Sequence, residues 1–268
     1  MKMILNTGAA ALAIILATAC AGTPEPAALS APAEAAAPAP SIDYAAIVEA
    51  PGRPDADLLA DEKRRPAEVL GLFSPQPGET ILEIEAGGGY FTEFLSRAVG
   101  PSGTVYMQNP AAFDAFIGAD GPPRLKEGRL TNVTYIKTNF DAFGLPDASV
   151  DTATWFQGPH ELWYMPEGAT EGLGDPDRSF PEIARVLKPG GQLVVIDHTA
   201  PAGSPPTTGG DTHRIDPAHI KALAEAAGLV LETESDLLRN PEDDGLKNVF
   251  DPEIRGKTDQ AILIFRKP

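Results

Sequence analysis

The sequence predicts an α/β fold in which helices cover both faces of a seven-stranded, mainly parallel sheet. Short apolar runs alternate with helical patterns along most of the chain, which is typical of strand–helix–strand units. The run from Gln192 to Asp197 is almost entirely apolar, as expected of a strand buried on both faces. The triplet Gly87 to Gly89 separates the first such run from a helical pattern, at the junction where these sheets bind ligands.

The predicted elements follow in order from residue 44. The segment 44–72 predicts one or two helices, interrupted at Arg53-Pro54 and at Arg65-Pro66. Strands are expected at 80–85, 104–108, 132–137, 150–156, 192–197, 229–234 and 260–265. Helices are expected at 90–99, 111–117 and 179–187. A last helix should begin at Asp216, a capping residue followed by Pro217, and end at Gly228.

The first 40 residues predict a region separate from this fold. Residues 1–19 have a short positive head, an apolar run and small residues, which is the layout of an export signal peptide. A chance Ala-rich N-terminus is the alternative. Cys20 follows as in the lipobox of bacterial lipoproteins, and this resemblance implies a periplasmic protein with a membrane tether through lipidated Cys20. Residues 20–40 are Ala- and Pro-rich and predict a disordered tether, which leaves 41–268 as one domain.

The composition restricts the partners. Acidic residues outnumber basic ones by 38 to 21, for a net charge of −17, so the phosphate backbone of a nucleic acid would be repelled. No nucleic-acid partner is therefore expected, and the acidic surface is interpreted as solvated and as favouring solubility. The sequence leaves the oligomeric state open.

Several segments, taken in order, resemble the class I S-adenosylmethionine-dependent methyltransferases. They are the acidic and glycine positions Glu83, Glu85, Gly87 and Gly89, then Asp141-Ala142 with Leu145-Pro146, and Leu-Lys-Pro-Gly-Gly at 187–191. The resemblance covers about residues 66–268 and implies a Rossmann-like fold that binds S-adenosyl-L-methionine. The segment 64–70, Asp197-His198, the segment 213–217 and the tail from Asn248 are closer to a group of secreted bacterial proteins labelled predicted methyltransferases. That closer resemblance implies a fold and a cofactor but no acceptor.

The resemblance assigns a set of cofactor-binding residues, namely Glu83, Glu85, Gly87, Gly88, Gly89, Asn109, Asp141 and Ala142. The glycine loop would hold the amino-acid end of the cofactor, Asn109 would meet the ribose, and Asp141 with Ala142 would frame the adenine. Glu83 would order the loop by accepting backbone N–H bonds. Glu85 stands where the motif has glycine, so its carboxylate either repels the cofactor's carboxylate or pairs with its ammonium or sulfonium group. The sequence does not decide between these.

Methyl transfer from a sulfonium is an in-line displacement, so the protein mainly positions the acceptor and removes a proton from it. The candidate catalytic residues are His160, Asp197 and His198, at the ends of the fourth and fifth predicted strands. A purely structural hydrogen bond is the alternative for each histidine. The candidate acceptor-binding residues are Trp163, Tyr164, His213 and Arg214. For His213 and Arg214, bracing of the loop before the last helix is the alternative. No metal is expected, because no pair of ligands of the His-x-x-x-His kind lies on one element.

The first functional hypothesis is a methyltransferase whose acceptor, of unknown identity, is a small-molecule methyl acceptor or an exposed protein group. The alternative is an exported binding module with the same fold and no catalysis. It is supported by the departures at Glu85 and Asn109, and by export away from the cytoplasm, where S-adenosylmethionine is made. A third hypothesis, a metal-assisted hydrolase, rests on the four histidines alone.

Overall fold

The computed structural model describes residues 42–268, apart from the side chain of Glu127. The predicted signal peptide, the tether and Cys20 lie outside the described residues. The described strands are β1 (Thr80–Ile84), β2 (Thr104–Asn109), β3 (Val133–Lys137), β4 (Val150–Phe156), β5 (Leu187–His198), β6 (Val230–Ser235) and β7 (Gln260–Arg266). They form a seven-stranded sheet in the order β3-β2-β1-β4-β5-β7-β6. Only β7 runs antiparallel to its neighbours, so the predicted mainly parallel sheet is confirmed.

The α-helices are α1 (Tyr44–Glu49), α2 (Asp55–Leu58), α3 (Asp61–Arg64), α4 (Pro66–Phe73), α5 (Tyr90–Val99), α6 (Asp114–Ile117), α7 (Pro176–Val186), α8 (Thr208–Thr212) and α9 (Pro217–Ala226). Short 3₁₀ turns cover Ala111–Phe113, Pro123–Glu127 and Pro159–Trp163. Among the described residues, no helix has both the length and the apolar character that crossing a bilayer requires.

Two predictions of element boundaries need correction. The segment 44–72 forms four short helices rather than one or two, and Arg65, forced out of the helical region by the following proline, takes a φ of 46° between α3 and α4. Strand β5 begins at Leu187 instead of residue 192, because a bulge in its pairing with β4 accommodates the Pro-Gly-Gly segment. The predicted cap of α9 is confirmed, since the Asp216 carboxylate accepts the backbone N–H of Ala218 at 2.9 Å.

The core lies on both faces of the sheet because successive strand residues point to opposite sides. On one face, Leu193 and Val195 of β5 pack with α7 and α9. On the other face, Val194 and Ile196 pack with α4 and α5. Helix-covered faces leave the edge formed by the carboxyl ends of the strands accessible. The segments that follow β1, β4 and β5 therefore meet at that edge.

Candidate active site

The loop between β1 and α5, residues 85–89, depends on its glycines in two different ways. Gly89 has a φ of 83°, and a Cβ placed there would lie 2.9 Å from Cδ of Arg124, so glycine is needed for packing. Gly87 has a φ of 54°, and a Cβ placed there would meet no atom within 4 Å. The Gly87 main chain therefore borders open space, as a ligand-binding loop requires.

Side chains at the end of β2 fix this loop. Asn109 accepts the Gly87 N–H at 2.7 Å and donates to the Gly87 carbonyl at 3.1 Å. Gln108 accepts the N–H of Glu85 at 2.9 Å. Both amide side chains are fully buried. Asn109 is not among the residues that line the cavity beside the loop, and its ribose contact stays a prediction.

Glu83 lies beneath the loop and is buried, with 4% of its surface exposed. Its carboxyl accepts from the hydroxyl and the backbone N–H of Thr92, so it holds the first turn of α5 rather than the loop itself. Burial raises the pKa of Glu83 to about 8, although Thr92 and the charges of Arg124 and Arg64 oppose this rise. Most Glu83 carboxyls are therefore protonated at neutral pH.

A cavity of about 400 Å³ opens beside the loop, and we call it the loop cavity. Its lining includes the loop, Asp57, Arg64, Tyr90, Phe113 and Arg124. Arg64 stacks on the ring of Tyr90 with 4.5 Å between Cζ and the ring centre. Asp141 and Ala142 are not in this lining, and Asp141 pairs with Arg178 instead. The adenine contact of these two residues stays a prediction.

Glu85 turns its carboxyl away from Gly87. Its Oε2 accepts from Nε1 of Trp155 at 3.0 Å and lies against Gly158, where a Cβ would come within 2.1 Å of Oε2. Burial and the negative charge of Glu161 raise the pKa of Glu85 well above its usual range. With its raised pKa and its hydrogen bond to Trp155 of β4, the Glu85 carboxyl is less prone to carry a negative charge that would repel an anion at the loop.

Asp197, at the end of β5, holds two of the candidate catalytic residues. Its Oδ1 lies 2.6 Å from Nδ1 of His160 and accepts the backbone N–H of His198, while Oδ2 accepts the backbone N–H of His160. Burial would lower the pKa of His160, but the carboxylates of Asp197 and Glu161 outweigh it and raise the value to about 10. In the absence of another ligand, His160 is therefore an imidazolium at neutral pH and is not itself a proton acceptor.

His198 has the opposite character. Its Nδ1 lies 2.7 Å from the Thr258 hydroxyl, and no described residue hydrogen-bonds its Nε2. Burial and neighbouring positive charges, that of His160 first, lower the pKa of His198 well below its usual range. A neutral imidazole with a free nitrogen is therefore available at this position.

The structure also brings Glu161 and His213 to His160, a juxtaposition that the sequence did not suggest. Oε1 of Glu161 lies 2.8 Å from Nδ1 of His213 and 3.3 Å from Nε2 of His160. The three residues offer ligand atoms that all lie within 4.8 Å of one another. The signal available in the sequence was the Gly209-Gly210 pair, which lets α8 approach the turn at Pro159–Trp163 closely.

A second cavity, of about 380 Å³, lies above these groups, and we call it the histidine cavity. It is lined by Glu85, Phe113, Phe116, Gln157, His160, Glu161, Tyr164, His198, His213, Val249 and Phe250. A third cavity, of about 590 Å³, shares His198 and Phe250 with it, and we call it the outer cavity. Gln157 borders all three cavities, so the loop cavity lies next to the other two.

The predicted acceptor contacts differ in where they lie. Tyr164 and His213 line the histidine cavity, with 5.1 Å between their ring centres. Trp163 is partly buried and packs against the core. Arg214 is fully buried, and its donors are used by the Asp243 carboxylate and by backbone carbonyls. Arg214 is therefore placed to anchor a loop, and it exposes no atom to an acceptor.

Comparison with solved structures supports the fold. The chain is similar to a SAM-dependent methyltransferase from Aquifex aeolicus, with a TM-score of 0.57, 21% identity, and coverage of 85% of this chain and 100% of the other. It is also similar to geranyl diphosphate C-methyltransferase from Streptomyces coelicolor A3(2), with a TM-score of 0.55, 17% identity, and coverage of 83% and 89%. These likenesses confirm the predicted Rossmann-like class I methyltransferase fold.

Curated relatives share part of the sequence. The ubiquinone/menaquinone biosynthesis C-methyltransferase of Hydrogenovibrio crunogenus is 32% identical over 136 residues, which cover 50% of this chain and 47% of that protein. The enzyme of the same name from Legionella pneumophila is 29% identical over 133 residues, covering 50% and 48%. The chain thus spans about half the length of the curated relatives it matches. A family model for the ubiE/COQ5 methyltransferases matches residues 62–206, more than half of the chain. The chain therefore belongs to the ubiE/COQ5 methyltransferase family.

Proposed function

We propose that this protein is an S-adenosylmethionine-dependent methyltransferase that acts on a small, ring-bearing acceptor in the histidine cavity. One observation carries the proposal. The open loop cavity at the end of β1 lies beside the histidine cavity and shares Glu85, Phe113 and Gln157 with its lining, so we expect a methyl donor and an acceptor to meet at the carboxyl ends of β1, β4 and β5. Family membership and the fold supply the class of reaction.

The loop cavity suits the cofactor in shape and charge. The space in front of Gly87 is open, and glycine at this position lets a ligand approach the main chain. Arg64 lines the same cavity, and no described residue hydrogen-bonds its guanidinium group. That group can therefore pair with the carboxylate of the cofactor's amino-acid end. When bound, S-adenosylmethionine supplies an electrophilic methyl group, and the chain positions the acceptor against it.

The histidine cavity suits an acceptor with an aromatic ring and a polar substituent. Phe113, Phe116, Tyr164 and Phe250 give it aromatic walls, while Glu85 and the histidines supply polar groups. The names of the curated relatives point to acceptors related to quinones. We assign to His198 the role of the base that removes a proton from the acceptor, because its Nε2 is free and it borders the histidine cavity and the outer cavity. Asp197 and His160 then act as positioning residues beneath it.

The non-catalytic alternative loses one of its two supports. It rested on export from the cytoplasm and on Glu85 and Asn109, which depart from the motif. Glu85 turns towards Trp155 and leaves the space at Gly87 open, and Asn109 fixes the loop through both of its polar atoms. Neither departure closes the loop cavity, so we favour the enzyme.

Filling the open space at Gly87 tests the proposal. Gly87→Leu would place a side chain in the loop cavity, and calorimetry with S-adenosylmethionine should show affinity lower by at least about 100-fold, or about 2.7 kcal/mol. Gly190→Leu is the matched control, since Gly190 has a φ of 78°, no atom within 4 Å of its Cβ position, and a place at the opposite edge of the sheet. Each variant should lose about 1–2 kcal/mol of stability from the left-handed backbone.

The pair of variants separates a specific effect from a general one. Loss of binding in Gly87→Leu alone supports the proposal, provided that chemical denaturation gives both variants similar stability. Wild-type protein that gives no binding heat with either S-adenosylmethionine or S-adenosylhomocysteine would overturn it. Equal loss in both variants would also count against the loop cavity as the site.

We also propose export and lipidation at Cys20, on the sequence pattern alone. The support is the run of small residues before Cys20 and the Ala- and Pro-rich segment after it. Radiolabelled palmitate should be incorporated by the wild-type chain in bacterial cells and not by Cys20→Ser. Label that persists in the serine variant would refute the assignment.

A further inference from the structure

We propose that His160, Glu161 and His213 bind a divalent transition-metal ion at the wall of the histidine cavity. These residues come from two elements that lie far apart in the sequence. His160 and Glu161 belong to the turn at Pro159–Trp163, and His213 directly follows α8. The sequence alone predicts no metal at this position.

The spacing of the three groups suits one ion. Metal bonds of about 2.0–2.2 Å set neighbouring ligand atoms about 3.0–3.5 Å apart. Oε1 of Glu161 lies 2.8 Å from the His213 nitrogen and 3.3 Å from the His160 nitrogen, and all three ligand atoms lie within 4.8 Å of one another. The two separations that involve Glu161 thus lie within a few tenths of an ångström of this range.

Asp197 prepares His160 as a ligand. The Asp197 carboxylate holds Nδ1 of His160 at 2.6 Å and also accepts its backbone N–H at 2.8 Å. This pairing fixes the ring and directs Nε2 towards Glu161, and an ion bound there would displace the Nε2 proton of the imidazolium, which is released to solvent. A carboxylate that holds the far nitrogen of a histidine is the usual support for a metal ligand.

Glu161 supplies an independent observation. Glu161 is buried, with 8% of its surface exposed, and its Oε2 has no hydrogen-bond partner among the described residues. Leaving a buried carboxylate oxygen without a partner costs free energy that hydrogen bonds within the cluster do not return. A metal ion, or a water molecule on the ion, would satisfy that oxygen.

The backbone brings His213 to this point at a cost. A Cβ at Gly209 would lie 2.2 Å from the carbonyl oxygen of His160, and one at Gly210 would lie 2.5 Å from that of Trp163. Only glycine permits this approach. Glu85, Gln157 and His213 line the histidine cavity with φ values of 56°, 60° and 55°, which non-glycine residues adopt at a cost. Such strain is typical of functional sites.

Two imidazoles and one carboxylate on one side of an ion leave positions open towards the cavity. This ligand set is used for catalytic Zn²⁺ and for non-haem iron. On the proposed function, on which this role rests, the ion would coordinate an oxygen of the acceptor and fix its ring near the methyl donor. The oxygen-bearing substituent would then determine which acceptors bind.

Zn²⁺ alone is the probe for the test. The full chain, purified without cofactor and stripped of metal, should bind one Zn²⁺ per chain with a Kd at or below about 1 µM in calorimetry. The measurement is made at physiological salt with excess Mg²⁺, because the acidic surface binds cations weakly. The Cys20→Ser chain is used in parallel, since Cys20 is the only cysteine. Because no cofactor is present, failure here leaves the methyltransferase proposal intact.

Three variants complete the test. Glu161→Gln and His213→Asn should each weaken Zn²⁺ binding by at least about tenfold, and asparagine tolerates the left-handed backbone at position 213. His219→Gln is the matched control, because His219 lies on α9, outside the cluster, and its Nε2 hydrogen-bonds to the Ser204 carbonyl. Thermal melts check that all variants fold. The proposal would be overturned if the wild type did not bind Zn²⁺, or if both cluster variants bound it as tightly as the wild type. An equal loss of Zn²⁺ binding in the control variant would also overturn it.

Discussion

Replacing Glu83 by glutamine should change how the stability of this protein depends on pH. The Glu83 carboxyl is buried between β1 and α5, where it accepts from Thr92. A glutamine side chain keeps the size and the acceptor oxygen of glutamate and cannot ionise. The comparison therefore isolates the free energy of placing a negative charge at this position.

The size and the sign of this change in stability follow from the pKa of Glu83. Burial raises the pKa of Glu83 from 4.5 to about 8, so between these values the folded state holds a proton that the unfolded state has released. The stability of the wild type relative to Glu83→Gln is therefore highest below about pH 4.5 and falls as the pH rises towards 8. Each pH unit in that range is worth about 1.4 kcal/mol. Between pH 5 and 8 the fall is at most about 4 kcal/mol, and water that enters on ionisation reduces it.

Urea denaturation of cofactor-free protein, followed by circular dichroism at unit steps from pH 5 to 9, measures this difference. Glu62→Gln, which removes an exposed carboxyl on α3, controls for the loss of one negative charge. A stability difference between wild type and Glu83→Gln that stays constant over the whole range would refute the reasoning. It would mean that Glu83 ionises as easily in the folded protein as in the unfolded chain.

Two further predictions concern the loop cavity and its border with the histidine cavity. Arg64→Gln should weaken S-adenosylmethionine binding by at least about tenfold and reduce its salt dependence, whereas calorimetry showing unchanged affinity would exclude the pairing with the cofactor's carboxylate. Gly158→Ala should cost about 1–3 kcal/mol in urea denaturation, because its Cβ would displace the Glu85 carboxyl from Trp155. The fluorescence of Trp155 should change as well. A Gly158→Ala variant with the stability and the emission of the wild type would show that the close contact is absent.

Most of the fold could be predicted because it depends on local patterns. The apolar runs and the capping residue Asp216 each act within a few neighbours, so their positions in the sequence suffice. The boundary of β5 could not be predicted in this way. Leu187 pairs with Val150 across a bulge, and a residue-by-residue pattern does not indicate that the strand continues through Pro189 and Gly190.

The candidate site could be predicted only in part. The glycine loop was found because its motif is contiguous and its physical requirement, a backbone without side chains, is visible in the residues themselves. Arg64 and the grouping of Glu161 with His213 were missed because they depend on tertiary approach. α3 brings Arg64 to the loop cavity, and the glycine pair in α8 brings His213 to the turn after β4.

The histidine cavity combines residues from inside and outside the range that matches the family. The family model covers residues 62–206, which include the glycine loop, Arg64 and the turn after β4. His213, Thr258 and Phe250 come from beyond that range, and they supply a candidate metal ligand, the partner of His198 and an aromatic wall. The C-terminal segment thus adds three residues to a cavity whose other eight lining residues lie within the range that the family model covers. Quinone-related rings are accordingly a starting point for an acceptor screen, and the shape and polarity of the histidine cavity are the better criterion for extending it.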